Sequence, residues 1–273
     1  MKNAIQDLND KGHGVSLEGI FYHVGENDMS FSPHRNNAAK WLSSIIDSSR
    51  DDLKMPSLKW YLSQQPPTDD KSVNGIDITS KIEALASKYD LHIATGIVEK
   101  SGKALFNSAI IIGPGGYIGH YRKQFLPNFG PFEEKMFFGE GNETPIFDTP
   151  FGKIGIQICY DIFFPETSMG LALNGADLIL NLSASPTTSR PLFHRVLPAR
   201  AIETTCFYAY SNNVGTQGSL TFAGESVVID PRGKTIAEIP SFEEGVIVCE
   251  LDFEKLSTFR EARPVLRDSK KKD

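Results

Sequence analysis

Cysteine is scarce in this chain, which carries only Cys159, Cys206 and Cys249 among its 273 residues. Three thiols at such wide spacing exclude a disulfide framework, and they do not resemble a zinc site. The first 14 residues are polar and mixed in charge, which is typical of neither a signal peptide nor a transit peptide. We therefore expect reduced thiols and a cytoplasmic location.

Long apolar runs and an excess of basic residues are also absent. No run approaches the roughly 20 apolar residues of a membrane-spanning helix, so no membrane partner is expected. The 34 acidic residues outnumber the 28 basic ones, which argues against nucleic acid because phosphate binding requires a basic surface. With 40% hydrophobic and 23% charged residues, the composition indicates a folded globular chain.

Predicted strands and helices alternate along the chain without a long linker. Runs of apolar, β-branched and aromatic residues predict strands at 15–24, 53–58, 91–98, 105–112, 117–121, 153–159, 177–182, 206–213, 226–230 and 245–251, with turns at 113–116 and 231–233. Apolar residues at helical spacing predict helices after Ser32-Pro33 and at 78–89, 165–175 and 190–204, and 63–74 is a predicted surface loop. This interleaving indicates one α/β domain with a mixed sheet or two stacked sheets.

Cys159 is the first candidate for a chemical role. It follows the β-branched run I-G-I-Q-I and precedes a sharp break at Tyr160-Asp161. A turn at a strand end exposes a nucleophile and leaves the next backbone N–H free to donate. The alternative for Cys159 is a packing residue at the end of a strand. Cys206 and Cys249 lie inside apolar runs, where small buried side chains are the simpler interpretation.

Lys123 and Glu134 are two further candidates. Lys123 follows a predicted strand in Y-R-K-Q-F-L-P, and a cation near a thiol lowers the pKa of that thiol and can stabilise an oxyanion. Glu134 lies among aromatic residues in F-E-E-K-M-F-F, where burial would change its protonation. Taken singly, each is also compatible with an ordinary surface charge.

Several segments in a fixed order resemble the nitrilase superfamily of carbon–nitrogen hydrolases. They are Y-R-K (121–123), L-P-N-F-G-P-F-E-E (126–134), I-G-I-Q-I-C-Y-D-I-F-F-P-E (154–166), G-A-D-L-I-L (175–180), R-A-I-E (200–203), N-N-V-G (212–215) and F-A-G-E-S-V-V-I-D-P-R-G (222–233). The resemblance implies a nitrilase-like four-layer α-β-β-α sandwich as a single domain over residues 15–268. Residues 1–14 would be an N-terminal extension and 269–273 a polar tail. A homodimer or larger homo-oligomer is also implied.

The resemblance assigns roles to the candidate residues. Cys159 matches the nucleophile of the family's Glu–Lys–Cys triad, and Lys123 matches its lysine. Glu134 matches an additional acid that orients the lysine or the substrate. The backbone N–H of Tyr160 would complete the oxyanion site. This chemistry needs no metal and no cofactor, so we expect neither.

The third member of the triad is replaced in this sequence. The family places a general-base glutamate at a Pro-Glu step, and the matching segment here has Pro56 followed by Ser57. Serine is not a base near neutral pH, and a positioned base contributes about 10²–10⁴-fold in rate. Three explanations stay open: a deliberate substitution, natural impairment, or transfer of the base role to Asp52 or Glu134.

The substrate is expected to be a small carboxamide. The segments at 126–134 and 213–226 look most like the glutamine-hydrolysing domains of NAD synthetases, where an aromatic residue, a serine and an arginine hold glutamine. Phe129, Ser185 and Arg190 match these residues, although Phe129 lacks a hydroxyl and the match of Arg190 is approximate. No synthetase domain fits after residue 268, which favours a free-standing amidase.

Two classes of function follow from the sequence. The first is cysteine-dependent hydrolysis of a non-peptide carbon–nitrogen bond through a thioester, with activity weakened by Ser57. The alternative is a non-catalytic protein of the same fold that binds a small carbonyl ligand or a protein partner. An acyltransferase of the superfamily is disfavoured, because those enzymes carry membrane spans.

Overall fold

The computed structural model describes residues 20–24, 44, 47, 60–64, 78–217 and 219–269. Ser57, the strand predicted at 53–58 and the helix predicted after Ser32-Pro33 lie outside the described residues. In the part of the chain that the structure describes, no helix is long and apolar enough to span a membrane.

The described elements alternate between strands and helices, as the sequence predicts. The strands are β1 (Ile20–Val24), β2 (Trp60–Gln64), β3 (Ile93–Ser101), β4 (Ala104–Gly113), β5 (Gly116–Arg122), β6 (Ile146–Thr149), β7 (Gly152–Ile158), β8 (Leu178–Ser183), β9 (Phe207–Asn212), β10 (Val214–Gln217), β11 (Leu220–Ala223), β12 (Val227–Ile229), β13 (Thr235–Glu238) and β14 (Ile247–Val248). The helices are α1 (Ile78–Tyr89), α2 (Glu134–Phe137), α3 (Pro165–Leu173), α4 (Arg190–Thr204), α5 (Lys255–Ala262) and α6 (Val265–Ser269), with 3₁₀ turns at Cys159–Phe163 and Thr187–Ser189.

A six-stranded mixed sheet carries the candidate nucleophile. Its strand order is β13-β12-β9-β8-β7-β6, and its central strands β7, β8 and β9 run parallel. Every residue of β8 is buried, because a central parallel strand is covered on both faces. Ile158 pairs with Leu182 at the carboxyl end of the parallel strands, so Cys159, which follows β7, and Ser183, the last residue of β8, lie at the same end of the sheet.

A second layer of strands covers one face of this sheet. Strands β3, β4 and β5 form an antiparallel sheet, and a turn between Gly113 and Gly116 joins the last two, as predicted. Gly116 has φ +108°, a conformation that glycine adopts without steric cost. Strand β1 pairs in parallel with β2 and antiparallel with β14.

Two hydrophobic clusters hold four layers together. Between the sheets, Ala109, Ile111 and Tyr121 share one cluster with residues such as Ile154 and Ile156 of β7. A second cluster joins the outer face of the six-stranded sheet to α3 and α4, and it includes Ile162, Leu171, Ile179, Phe193, Leu197 and Tyr208. Helix α1 packs against β4 and β5 on the opposite side. The predicted α-β-β-α sandwich is therefore confirmed.

The observed boundaries differ from the prediction in several places. Strand β2 extends through Gln64, so the loop predicted from residue 63 begins too early. The strand predicted at 245–251 is reduced to Ile247–Val248, and Cys249 lies after it. Strands β6, β10, β11 and β13 were not predicted, because they have four residues each and present partly exposed positions.

Candidate functional site

The nucleophile candidate occupies a strained turn. Strand β7 ends at Ile158, and Cys159 opens the 3₁₀ turn with φ +48°. A left-handed conformation costs a residue with a Cβ atom roughly 1–2 kcal/mol, so the surrounding structure must enforce it. Strain of this kind concentrates at functional sites.

Lys123 is buried and anchored on both sides. Only 1% of the residue is exposed. Its backbone N–H donates to the Asn107 carbonyl at 2.8 Å, and its own carbonyl accepts from the Gly141 N–H at 2.8 Å. Its Nζ donates to both carboxylate oxygens of Glu134, at 2.7 and 2.8 Å. Because a buried ammonium is costly without a counter-charge, Glu134 offsets the cost of placing the Lys123 ammonium inside the site.

Asp161 ties the segment of Lys123 to the turn of Cys159. This carboxylate is fully buried. It accepts hydrogen bonds from the Tyr121 hydroxyl at 2.7 Å, the Phe125 N–H at 2.9 Å and the Ile158 N–H at 3.0 Å. Tyr121 and Phe125 flank the lysine in sequence, and Ile158 precedes the cysteine. One side chain therefore fixes the approach of the two candidate catalytic segments.

Burial controls the charge of the Cys159 thiol. It raises the pKa of Cys159, Lys123 lowers that pKa, and Glu134 raises it again. The net pKa lies above the ordinary value of 9.0. The predicted effect of Lys123, which lowers the pKa of the thiol, is present, but desolvation of the thiolate is the larger effect.

Polar residues on β8 complete the surroundings of the thiol. The Ser183 hydroxyl interacts with the thiol and donates to Asn181 Oδ1 at 2.6 Å. Asn181 Nδ2 in turn donates to the Cys159 carbonyl at 3.4 Å. Sequence reasoning missed both residues, although two polar side chains in the apolar run L-I-L-N-L-S were a usable signal.

The predicted aromatic residues lie together beside the cysteine turn. The rings of Phe129 and Tyr160 are 5.3 Å apart, and Phe132 packs on Phe129 at 5.8 Å. Phe129 is 52% exposed, which leaves part of its ring available to a ligand. The structure therefore brings two of the four predicted substrate-binding residues together.

Ser185 and Arg190 line a separate cavity of about 310 Å³. The Arg190 guanidinium is already paired with a protein carboxylate, because its Nε donates to both oxygens of Glu225, at 2.7 and 2.8 Å. His194 Nε2 also contacts this carboxylate at 2.7 Å. Sequence reasoning missed Glu225, which lies in the quoted motif F-A-G-E-S but was not singled out.

The described residues contain no group of three or more His, Cys, Asp or Glu side chains that could hold a metal ion. Ser57 lies outside them, so its relation to Cys159 stays a prediction.

Comparisons with known proteins agree on one family. The sequence profile described as carbon-nitrogen hydrolase matches residues 62–261. A nitrilase of Pyrococcus abyssi is 36% identical over 178 residues, which are 64% of this chain and 65% of that nitrilase. A glutamine-dependent NAD(+) synthetase of Aquifex aeolicus is 37% identical over 167 residues, which are 60% of this chain but only 29% of the synthetase. The matched region thus spans less than two thirds of either relative.

A solved structure shares the fold over almost the whole chain. The crystal structure of a carbon-nitrogen hydrolase from Helicobacter pylori G27 superposes with a TM-score of 0.79 and 22% identity. The match covers 92% of this chain and 94% of that one.

Proposed function

Because the chain belongs to the carbon–nitrogen hydrolase family of the nitrilase superfamily, we propose that it hydrolyses a small carboxamide through Cys159. One observation carries the proposal. Cys159 lies in a strained backbone conformation directly after β7, and the charge of Lys123, which is buried and paired with Glu134, lowers the pKa of its thiol. A thiol, a cation and a backbone N–H donor, the last expected from Tyr160, are the groups that acyl transfer requires.

The first half of the reaction forms a thioester. The Cys159 sulfur attacks the amide carbon, and the carbonyl oxygen takes the electron pair as an oxyanion. Lys123 Nζ and the Tyr160 N–H stabilise that charge. The thiol proton passes to the amide nitrogen, the carbon–nitrogen bond breaks and ammonia leaves. The acyl group is then bound to sulfur.

The second half returns the free enzyme. Water attacks the thioester carbon, the carbon–sulfur bond breaks and a carboxylic acid is released, while sulfur recovers its proton. The first half-reaction needs a base because the raised pKa of Cys159 keeps the thiol protonated near neutral pH. The second needs a base because the attacking water must lose a proton. Glu134 is held by Lys123 in a positioning role, and Ser57 supplies no base, so we expect slow turnover.

The relatives guide the choice of test compounds. The Aquifex relative is named as glutamine-dependent, and glutamine ends in a carboxamide. The Pyrococcus relative is named as a nitrilase, so nitriles belong in the panel as competing substrates. We propose a small amide without a carboxylate group as a better substrate than glutamine, since the exposed face of Phe129 offers apolar contact.

The decisive experiment measures ammonia release from acetamide, propionamide, butyramide, glutamine and the matching nitriles. We expect release by the wild-type protein, none by Cys159→Ala, and unchanged release by the control Cys249→Ala. Intact-mass spectrometry of the wild-type protein should show the acyl group on Cys159. Equal release by the wild type and Cys159→Ala would show that the activity does not use this thiol.

Ser57 favours a second candidate function, a non-catalytic protein that binds a small carbonyl ligand. This second function predicts that amides bind to the wild-type protein without ammonia release. Sustained turnover of any amide in the panel excludes it. The homo-oligomer and the cytoplasmic location stay predictions, of which size-exclusion chromatography with light scattering tests the first.

A further inference from the structure

A cavity of about 310 Å³ lies between α4 and the six-stranded sheet. Its walls are both polar and apolar, and the apolar part includes Phe193, Leu197, Val227 and Ile229. At about 30 Å³ for a water-sized group, this volume accommodates a ligand segment of roughly ten non-hydrogen atoms. The cavity is therefore large enough for the far end of a small amide.

One end of the cavity is built around Glu225. This residue follows β11 in a left-handed conformation, with φ +57°. Its carboxylate accepts from Arg190 Nε at 2.7 and 2.8 Å and from the Ser241 hydroxyl, and it contacts His194 Nε2 at 2.7 Å. Arg190 also donates to the Ser241 oxygen at 3.0 Å. Several donors thus converge on a single acidic side chain.

The charges at this end do not favour an anion. Arg190 and Glu225 cancel each other, and these contacts outweigh burial and lower the pKa of Glu225 to about 2, so the carboxylate is ionised throughout the neutral range. Glu238, on β13, also lines the cavity and adds a negative charge. A carboxylate entering the cavity would have to displace Glu225 from Arg190, whereas an ammonium group meets the net negative charge of Arg190, Glu225 and Glu238 together.

The cavity and the candidate nucleophile adjoin the same hydrophobic cluster. Tyr210 lines it, and burial, followed by the charge of Cys159, raises the pKa of the Tyr210 hydroxyl, to which Glu225 also contributes. The Ser183 hydroxyl interacts with both Cys159 and Tyr210. Phe193, Leu197, Tyr210, Val227 and Ile229 line the cavity and also belong to the cluster against which Cys159 packs.

We infer that Glu225 makes this cavity select the far end of the substrate by charge, so that a carboxamide ending in an ammonium group is preferred over one ending in a carboxylate. The inference rests on the proposed function, which it extends to a substrate class. Arg190 is then a positioning residue that orients Glu225, in place of the glutamine-holding role that the resemblance implies for it.

Three amides with the same five-carbon chain test the inference: 5-aminopentanamide, pentanamide and 4-carbamoylbutanoate, which end in a cation, a methyl group and an anion. We expect kcat/KM of the wild-type protein for the cation to exceed that for the anion by at least about tenfold, because like charges at close range are strongly disfavoured. Equal values, or a preference for the anion, would overturn the inference.

The matched variants are Glu225→Gln and Glu261→Gln. The first removes the charge, keeps the side-chain length and frees Arg190, so we expect the cation-to-anion ratio to fall by at least about tenfold. Glu261 is exposed on α5 and does not line the cavity, so its variant should keep the wild-type ratio. An unchanged ratio in Glu225→Gln with a wild-type circular dichroism spectrum would contradict the role of Glu225.

Calorimetric titration of the same amides into Cys159→Ala separates the two proposals. If the wild type releases no ammonia but Cys159→Ala binds the cationic amide at least about tenfold more tightly than the anionic one, the proposed hydrolysis fails and the charge selection holds. If the wild type hydrolyses amides but Cys159→Ala binds the anionic amide more tightly, the hydrolysis holds and the charge selection fails.

Discussion

Lys123 and Glu134 form a bidentate contact, in which one buried ammonium donates to both oxygens of one carboxylate at 2.7 and 2.8 Å. The carboxylate offsets the cost of burying the lysine, and it raises the pKa of the neighbouring thiol, which Lys123 lowers. Stabilising the lysine and activating the cysteine are therefore opposing demands on the same residue.

Glu134→Gln should separate these two demands. Loss of the carboxylate removes one cause of the raised pKa of Cys159, so we expect alkylation by iodoacetamide at pH 8 to be faster by about threefold or more. Ammonia release should fall by about tenfold or more, because Lys123 is no longer oriented. The neighbouring Glu133 is exposed, and Glu133→Gln is the control. Slower alkylation together with slower hydrolysis would mean that Glu134 only supports the fold.

The three cysteines should react with iodoacetamide in a fixed order. Burial raises the pKa of all three, to about 11 for Cys206 and about 12 for Cys249, whereas Lys123 counteracts it at Cys159. Because only the thiolate reacts, labelling should increase as the pH rises, with Cys159 labelled first and its inflection above 9.0. Peptide mapping across pH 7–10 checks this order. Earlier labelling of Cys206 would argue against Cys159 as the nucleophile.

Asp161→Asn should weaken both the fold and the site. The amide keeps the shape of the side chain, but its N–H group faces donors that bond to the carboxylate oxygens in the wild type. We therefore expect a loss of about 2 kcal/mol in the free energy of unfolding. Tyr121→Phe removes one of the three donors and should cost about 1 kcal/mol. Urea denaturation measures both losses. If Cys159 in Asp161→Asn is alkylated at the wild-type rate, the carboxylate does not position the cysteine turn.

Ser57→Glu should raise the rate of amide hydrolysis. If the sequence match is right, the new carboxylate accepts the thiol proton and later activates water, and we expect at least a tenfold gain within the range of about 10²–10⁴ for a positioned base. Ser57→Gln, which has the same shape without a base, is the control and should show no gain. A folded Ser57→Glu protein with wild-type activity on every amide it binds would show that position 57 does not face the thiol.

The sequence predicts the long central strands and helices of this fold better than its short outer strands. The apolar runs of β7, β8 and β9 and the spacing of α1 and α4 reflect burial in the sandwich, which is why their positions were predicted within a few residues. The short strands β6 and β13 depend on pairing with a neighbour that no local pattern specifies. Their existence therefore could not be predicted from their own residues.

In the candidate site, too, some features could be predicted from the sequence and others could not. The contact of Lys123 with Glu134 and the turn at Cys159 agree with the motifs that identified these residues. The pairing of Arg190 with Glu225 joins residues 35 positions apart in sequence, and no rule of spacing predicts it. The raised pKa of Cys159 was also out of reach, because burial is a property of the packed molecule.

Cys159 packs against both hydrophobic clusters, the one between the sheets and the one beneath α3 and α4. Its thiol is therefore a natural probe of packing in two layers at once. If heat or denaturant loosens either layer before the chain unfolds, the burial that holds the thiol in its protonated form decreases there first. The rate of alkylation of Cys159 should then report which substitutions, in the core between the sheets or under the helices, loosen the protein while its secondary structure is still intact.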